Sequence, residues 1–208
     1  MSEIRVKICG LFRDEDVAAV NVALPDYVGF VFAPSRRQVT PDEAARLRAQ
    51  LDGRIVPVGV FVEERIERIA ELHAQGLFEY AQLHGAYLSE QIDELKRRCG
   101  ASLEVIRAVT VDEGFDPALL PVEHTSTAHG IDCLLFDYRR PGSGRRFDWG
   151  LLKGVQRPYF LAGGVTRENL DEALALAPFA VDVSSGVETD GLKDARKIIE
   201  FVRRVRQA

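Results

Sequence analysis

Two short runs of sequence, VKICG at residues 6–10 and VDVSSGVE at residues 181–188, decide the fold. Each is an apolar, β-branched run that stops at a polar or reactive residue followed by glycine, which is typical of a strand whose carboxyl end carries chemistry. In a closed parallel barrel of eight strands, the first and last strands are neighbours and their ends meet at one mouth. The two runs therefore predict a site shared by strands one and eight.

Eight strand-like runs alternate with segments of helical periodicity. The runs cover residues 6–9, 27–32, 56–62, 80–83, 103–109, 133–137, 158–162 and 180–184. Strict alternation predicts a parallel sheet. Eight units in 208 residues predict closure as a TIM barrel, one (β/α)8 domain over residues 1–208. An open doubly wound sheet is the alternative, but its usual first turn, GxGxxG, is replaced here by CGLF at residues 9–12.

Three side chains are predicted to begin helices. Thr40 is followed by proline and then by Glu43, a pattern that predicts a capping box. Ser89 and Asp148 each precede a helical run, so we expect both to act as N-caps. The least regular stretch, residues 112–131, is expected to hold a short fifth helix and a loop.

The composition disfavours several classes of function. A net charge of −5 argues against a nucleic acid as the main partner. No apolar run approaches the roughly 18–20 residues that a membrane span needs, and we expect no signal segment before the first strand. Cys9, Cys99 and Cys133 form no CxxC pair, which favours a reducing cytoplasm over a disulfide framework or a zinc site. Among the histidines only His84 ends a strand, so we expect no metal.

Cys9 and Asp137 are at the predicted carboxyl ends of strands one and six, where barrel enzymes place their catalytic groups. A free cysteine is more often a small buried apolar residue, and an aspartate after a strand is often a helix cap. The sharper hypothesis is that the Cys9 thiolate takes a proton or attacks a carbon, and that Cys9 and Asp137 flank one substrate, one as base and the other as acid. The pair therefore predicts acid–base chemistry on a substrate held between them.

Glycine-rich turns follow strands seven and eight, at Gly163-Gly164 and at Ser185-Gly186. Glycines often mark no more than a tight turn. Barrels, however, frequently bind phosphate through the backbone N–H groups of these two loops. Because both loops have the pattern, a phosphate site made by these four residues is the favoured interpretation.

Three further residues near the predicted mouth are candidates for substrate binding. Arg36 and Arg37 follow strand two, and a guanidinium presents a planar fork to a carboxylate or phosphate, although a basic pair in a loop is more often only solvated. His84 ends strand four, where the sequence is equally compatible with a catalytic role and with a structural hydrogen bond.

Lys7 has an expected partner inside the barrel. Strand alternation puts Lys7 on the same face as Cys9, whereas Val6 and Ile8 face the helices. A buried ammonium group needs an anionic partner, and Asp182 on the adjacent strand eight is the predicted one. An ammonium group in this place is also expected to favour the thiolate form of Cys9.

The chain resembles the phosphoribosylanthranilate isomerase family of tryptophan biosynthesis over essentially its whole length. The matching motifs, in order, are KICG at 7–10, GFVF at 29–32, SRR at 35–37, VGVF at 58–61, QLHG at 82–85, GSG at 142–144 with FDW at 147–149, LAGG at 161–164 and VDVSSGVE at 181–188. Together and in this order they form a specific signature.

The resemblance implies a barrel that works without a metal or an organic cofactor. It implies an aldose–ketose isomerisation: the Amadori rearrangement of N-(5'-phosphoribosyl)anthranilate to 1-(2-carboxyphenylamino)-1-deoxyribulose 5-phosphate, the third step from chorismate to tryptophan. The family's general base falls on Cys9 and its general acid on Asp137. Its anthranilate-contacting arginine falls on Arg37, its substrate-contacting aspartate on Asp182, and its phosphate loops on the two glycine-rich turns.

Two departures from the family pattern concern the rim of the site. The loop after Phe32 looks one residue shorter than usual, which leaves open whether Arg36 or Arg37 meets the anthranilate carboxylate. Asp137 is followed by the bulky Tyr138, where a small polar residue is more familiar.

Two other functions stay open from the sequence. The related isomerase of histidine biosynthesis performs the same rearrangement on a bisphosphate, but it has an aspartate where this chain has Cys9 and needs a second phosphate site. A non-catalytic phosphosugar-binding barrel would keep the glycine-rich turns without needing Cys9 or Asp137. For the favoured function we expect a cytoplasmic enzyme, monomeric or homodimeric, whose partner is its small phosphosugar–anthranilate substrate.

Overall fold

The computed structural model describes residues 4–112, 114–120, 129–138 and 146–208. Eight parallel strands close into a barrel in sequence order. They are β1 (Arg5–Cys9), β2 (Tyr27–Val31), β3 (Val56–Val62), β4 (Tyr80–His84), β5 (Glu104–Val111), β6 (Cys133–Tyr138), β7 (Tyr159–Leu161) and β8 (Ala180–Val183). The predicted barrel is confirmed, and every predicted strand overlaps an observed one.

In the described residues, α-helices follow six of the eight barrel strands, all except β5 and β6. Those in the described residues are α1 (Asp14–Ala23), α2 (Pro41–Ala49), α3 (Ile66–Ala74), α4 (Ser89–Cys99), α5 (Leu170–Leu174) and α6 (Ala195–Arg206). In the stretch predicted to hold a short fifth helix, the described part forms a single 3-10 turn at Pro117–Leu119. A second 3-10 turn, Trp149–Leu152, follows β6. No helix in the described ranges is long and apolar enough to cross a membrane.

The core has two layers, because successive side chains of a strand point to opposite faces. The layer inside the barrel is built from buried residues of several strands: Tyr27, Val58, Ile106, Cys133, Leu135, Phe160, Ala162 and Ala180. Val6 and Ile8 of β1 and Val181 and Val183 of β8 belong to the outer layer against the helices. The residues between them, such as Lys7, therefore point into the barrel.

A short antiparallel ribbon after β8 was not predicted from the sequence. Its strands are β9 (Glu188–Thr189) and β10 (Leu192–Lys193), and their register places Glu188 opposite Lys193. The two turn residues, Asp190 and Gly191, have φ of 52° and 80°, as both central residues of a type I′ hairpin turn require. The ribbon holds a carboxylate and an ammonium group beside the mouth of the barrel.

The helix caps agree with two of the three predictions. The Thr40 side chain accepts from the Glu43 N–H, and the Glu43 carboxylate accepts from the Thr40 N–H, which completes the predicted capping box. Asp148 caps a 3-10 turn, where its Oδ1 accepts from the Gly150 N–H. The prediction for Ser89 is wrong, because α4 begins at Ser89 itself and the Gln91 side chain satisfies the free N–H of the preceding residue.

The two caps give a matched pair of substitutions. Thr40→Ala removes the acceptor for a helix N–H and should lower the free energy of unfolding by about 1 kcal/mol. Ser89→Ala removes a hydroxyl that caps nothing and should change it by less than about 0.5 kcal/mol. Urea unfolding of both variants beside the wild type measures the difference. Equal losses in the two variants would contradict this assignment of the caps.

Candidate active site

A cavity of about 380 Å³ opens at the carboxyl ends of the strands. Its volume is within the range of roughly 300–1,000 Å³ that is typical of small-molecule sites. Most of the residues predicted for the site line it: Cys9, Arg37, His84, Asp137, Gly163, Gly164, Asp182 and Ser185. Arg36 and Gly186 are not among the lining residues. The structure therefore brings the predicted acid–base pair and one of the two arginines into one cavity.

Cys9 ends β1 with its thiol against β2. A Cβ on Gly29 would come within 2.8 Å of the Cys9 Sγ, so the glycine makes room for the thiol. Burial raises the pKa of Cys9, and the charge of Lys7 lowers it by a smaller amount. The expected help from Lys7 is thus present, but it is outweighed by burial and the thiol form is favoured.

Lys7 and Asp182 form the ion pair that the sequence predicts. The two residues are register partners on β1 and β8, and Lys7 Nζ donates to Asp182 Oδ2 over 2.9 Å. The Lys7 side chain is fully buried. Burial lowers the pKa of Lys7, but the charge of Asp182 and its hydrogen bond to Lys7 act against this, and the net direction is upward. The ammonium group therefore stays charged inside the barrel.

Lys193 is a second buried ammonium group near Cys9, and the sequence did not single it out. Its Nζ donates to the Ser184 carbonyl over 3.0 Å and to Glu188 Oε1 over 2.8 Å. The Ser184 hydroxyl in turn donates to the Cys9 carbonyl over 3.0 Å. The charge of Lys193 also lowers the pKa of Cys9. The ribbon after β8 is thereby connected to the end of β1.

Asp137 lies near the end of β6 under the loop that follows β7. Its Oδ1 accepts from the Tyr138 N–H over 2.8 Å. Gly163 has a φ of 75°, and a Cβ there would come within 2.9 Å of Asp137 Oδ1, so only glycine allows this approach. Burial raises the pKa of Asp137 to about 6, although the Tyr138 hydrogen bond lowers it. A carboxyl group with this pKa can hold a proton and release it near neutral pH.

Gln82 and His84 project from β4 into the same cavity. The Gln82 Nε2 lies 2.6 Å from the His84 Nε2, and because an amide nitrogen only donates, the ring nitrogen is the acceptor. Burial lowers the pKa of His84 to about 4, which keeps the imidazole neutral at pH 7. The Gln82 Oε1 is buried and has no hydrogen-bond partner in the described residues. This oxygen can accept from a ligand.

The loops after β7 and β8 contact each other at the mouth. Gly163 and Gly164 both have φ near 75°. A Cβ on Gly186 would lie 2.3 Å from the Val165 carbonyl oxygen, so only a glycine at this position allows the two loops to touch. Gly186 does not itself line the cavity. Ser185 begins a 3-10 turn and faces the cavity. Residues of both loops therefore lie together at one side of the mouth.

The two arginines differ in where they lie. The Arg37 guanidinium is buried, and a Cβ on Gly10 would come within 2.5 Å of its Cδ, so the arginine crosses the chain directly over this glycine. The Arg36 side chain is 56% exposed. Both guanidinium groups bind the buried Glu188 carboxylate. Only Arg37 of the two lines the cavity.

Several contributors were missed at the sequence level. Glu188 and Lys193 pair across a two-residue ribbon too short to give a strand pattern. Gln82 could have been found from period-two alternation, because it shares its face with His84. The GSG motif at residues 142–144 lies outside the described residues. In the described ranges, no group of three or more His, Cys, Asp or Glu side chains could hold a metal ion.

The closed barrel and the cavity at the carboxyl ends of its strands define a (β/α)8-barrel enzyme. Within the cavity, the half-buried thiol of Cys9 and a carboxyl group of raised pKa are suited to moving protons on a small substrate. Comparison with known proteins identifies the family.

The model of the N-(5'-phosphoribosyl)anthranilate isomerase family matches residues 6–204. A relative of that name from Endomicrobium trichonymphae is 44% identical over 207 residues, covering 97% of this chain and 98% of the relative. The crystal structure of phosphoribosyl anthranilate isomerase from Thermus thermophilus superposes with a TM-score of 0.85 at 34% identity, covering 98% and 99% of the two chains. The chain belongs to the phosphoribosylanthranilate isomerase family.

A further similar structure contains a ligand. It is a phosphoribosyl anthranilate isomerase in complex with reduced 1-(o-carboxyphenylamino)-1-deoxyribulose 5-phosphate. It superposes with a TM-score of 0.80 at 34% identity and covers 99% of this chain and 100% of its own.

The raised pKa of Asp137 predicts a pH-dependent effect on stability. Folding raises this pKa from 3.8 to about 6, so the folded protein favours the protonated form and loses stability as the pH rises through this interval. Asp137→Asn, a neutral isostere, should therefore raise the free energy of unfolding by about 3 kcal/mol at pH 8 and by only about 0.5 kcal/mol at pH 4. Urea unfolding at the two pH values measures this, and an equal effect at both would contradict the raised pKa.

Proposed function

We propose that this barrel converts N-(5'-phosphoribosyl)anthranilate to 1-(2-carboxyphenylamino)-1-deoxyribulose 5-phosphate, with Cys9 as general base and Asp137 as general acid. The observation that supports this most directly is the meeting of both groups in one cavity of a barrel that belongs to the isomerase family. The rearrangement opens a furanose ring and moves a proton away from C2, so it needs one group that donates a proton and one that accepts a proton.

Asp137 acts in the first step. Its carboxyl group donates a proton to the ring oxygen while the C1–O bond breaks and the anilino nitrogen supplies electrons, which gives a protonated Schiff base. A carboxyl group of ordinary pKa would be almost fully ionised at neutral pH, whereas a pKa of about 6 keeps a useful fraction protonated.

Cys9 acts in the second step. Its thiolate removes the C2 proton, the C–H electron pair forms the C1=C2 double bond, and the π electrons of the C1=N bond return to the nitrogen. The enolamine that results tautomerises to the ketone as C1 gains a proton and the C2 hydroxyl loses one. The pKa of Asp137 is below that of Cys9, so at neutral pH the resting enzyme has a Cys9 thiol and an Asp137 carboxylate. The reactive form, with a Cys9 thiolate and an Asp137 carboxylic acid, has the same number of protons and is a minor tautomer of the resting form. Lys7 and Lys193 favour this tautomer by stabilising the thiolate.

The remaining groups hold the substrate. We expect Arg37 to bind the anthranilate carboxylate and the backbone N–H groups of Gly163, Gly164 and Ser185, which line the cavity, to bind the phosphate. Asp182 and the neutral His84 can exchange hydrogen bonds with sugar hydroxyls. Binding at both ends of the substrate fixes the reacting carbons between acid and base.

The same proposal covers the setting of the enzyme. We infer that residues 1–208 act as one domain, because the first and last strands of the barrel are hydrogen-bonded neighbours. The enzyme is placed in the cytoplasm, an assignment supported by the free thiols of Cys9, Cys99 and Cys133. It is expected to work as a monomer or homodimer. The histidine-pathway alternative is disfavoured by the thiol at Cys9 and by the family match.

Two cysteine substitutions test the base. Cys9→Ala should lower kcat by about 10²- to 10⁴-fold, because general base catalysis is typically worth this much. Cys99→Ala, at the far end of α4, should keep kcat within about twofold of the wild type. The loss of substrate fluorescence during turnover measures both. A Cys9→Ala enzyme with nearly full kcat would rule out the assignment, and a wild type with no activity would rule out the function.

The two arginines can be separated by their effect on KM. Arg37→Ala should raise KM about tenfold or more, because a charge-assisted hydrogen bond to the substrate carboxylate is lost. Arg36→Ala should raise it by no more than about threefold, since this side chain is largely exposed and does not line the cavity. Steady-state kinetics of the two variants give the answer. The reverse order would mean that Arg36 binds the carboxylate.

A further inference from the structure

Glu188 lies at the centre of a cluster of cationic side chains beside the cavity. Its carboxylate accepts from Arg36 Nη2 over 2.6 Å and from Lys193 Nζ over 2.8 Å. Arg37 binds it through two nitrogens, Nε to Oε1 over 2.7 Å and Nη2 to Oε2 over 3.0 Å. The Glu188 side chain is 4% exposed, so these bonds form away from water. Nothing in the proposed chemistry yet uses this carboxylate.

The Glu188 carboxylate is ionised in this environment. Burial alone would raise its pKa, but the hydrogen bonds from Arg37 and Lys193 outweigh burial and the net direction is downward. A buried carboxylate that binds an arginine through two parallel hydrogen bonds fixes both the position and the plane of the guanidinium group.

We propose that Glu188 is a positioning residue that aims Arg37 at the carboxylate of the substrate. This inference rests on the proposed function, because it assumes that Arg37 is the residue that meets this group. Glu188 itself does not line the cavity, so it acts through the arginine.

The geometry of the guanidinium group explains how one side can be held while the other stays available. The group has five N–H donors, arranged along two edges and one end. In the described residues, the guanidinium bonds of Arg37 run from Nε and Nη2 to Glu188, which occupies the edge that these two nitrogens share. The fork between Nη1 and Nη2 still has donors and can bind a second carboxylate with two bonds. Glu188 therefore sets the direction of that fork.

The backbone around Glu188 makes this arrangement rigid. Glu188 is in β9, where it is the register partner of Lys193 in β10. The Glu188 carbonyl accepts from Lys197 Nζ of α6 over 2.6 Å. The Arg37 side chain is confined on its other side by Gly10, which has a φ of 83° and admits no Cβ without a clash. A guanidinium held on both sides needs little ordering when the substrate binds.

The experiment compares two substrates in the wild type and in Glu188→Gln. The first is N-(5'-phosphoribosyl)anthranilate, and the second is N-(5'-phosphoribosyl)aniline, which lacks the carboxylate. For the first substrate, Glu188→Gln should raise KM about tenfold and leave kcat within about threefold, because a charged hydrogen-bond partner of Arg37 is lost. For N-(5'-phosphoribosyl)aniline, the KM of Glu188→Gln should stay within about twofold of the wild-type value. A double variant with Arg37→Ala should have the KM of Arg37→Ala alone.

A matched control removes an arginine–glutamate pair elsewhere. Glu172 binds Arg146 through two hydrogen bonds of 2.7 Å on the surface, so Glu172→Gln should leave both KM values unchanged. If Glu188→Gln does not fold, Glu188→Asp, which keeps the charge but withdraws it by one methylene, should give the same selective rise in KM.

Two results would overturn the proposal. An unchanged KM for the anthranilate substrate would show that Glu188 does not aim Arg37. An equal rise for both substrates would show a general structural role. After either result, the proposed function would still stand as long as the wild-type enzyme turns over N-(5'-phosphoribosyl)anthranilate. A wild-type enzyme that is inactive on this substrate would overturn the proposed function, and this inference with it.

Discussion

The ammonium group of Lys7 lies fully buried inside the barrel, where it is bound by the Asp182 carboxylate across the junction of β1 and β8. Removing one member of such a pair typically costs about 3–5 kcal/mol, because the other is left as an uncompensated buried charge. The pair therefore restrains the two strands at the point where the barrel closes. Because Cys9 is two residues after Lys7, the same contact fixes the height of the thiol in the cavity.

The electrostatics of the cavity follow from that contact. Lys7 lowers the pKa values of Cys9 and Asp137, and burial acts against it on both groups. Burial is the larger effect in each case, so each group holds its proton more tightly than it would in water. In the proposed roles, this change keeps more of the acid Asp137 protonated near neutral pH and makes the thiolate of the base Cys9 scarcer.

The sequence predicted the fold almost completely, because strand alternation and β-branched runs report directly on buried parallel strands. It also predicted the Lys7–Asp182 pair, since period-two geometry and the adjacency of the first and last strands leave few other partners. It failed at two local features. Helix α4 begins one residue earlier than expected, at Ser89, where Gln91 accepts from the Leu88 N–H. The ribbon that contains Glu188 has strands of only two residues, too short to give a strand pattern.

The pKa of Cys9 was harder to anticipate for a physical reason. A neighbouring charge can be read from strand register, but the loss of solvation depends on how every surrounding side chain packs. The same packing separates Arg36 from Arg37: adjacent in sequence, one is mostly exposed and the other is held against Gly10. Sequence alone names the residues of a site more readily than it gives their protonation or orientation.

The raised pKa of the Cys9 thiol has a consequence for the lifetime of the enzyme in the cell. Oxidants such as peroxides attack the thiolate, and a cysteine with a low pKa in an open site is readily converted to sulfenic acid and beyond. Burial favours the thiol form of Cys9. We therefore expect Cys9 to be oxidised more slowly than a cysteine of low pKa in an open site.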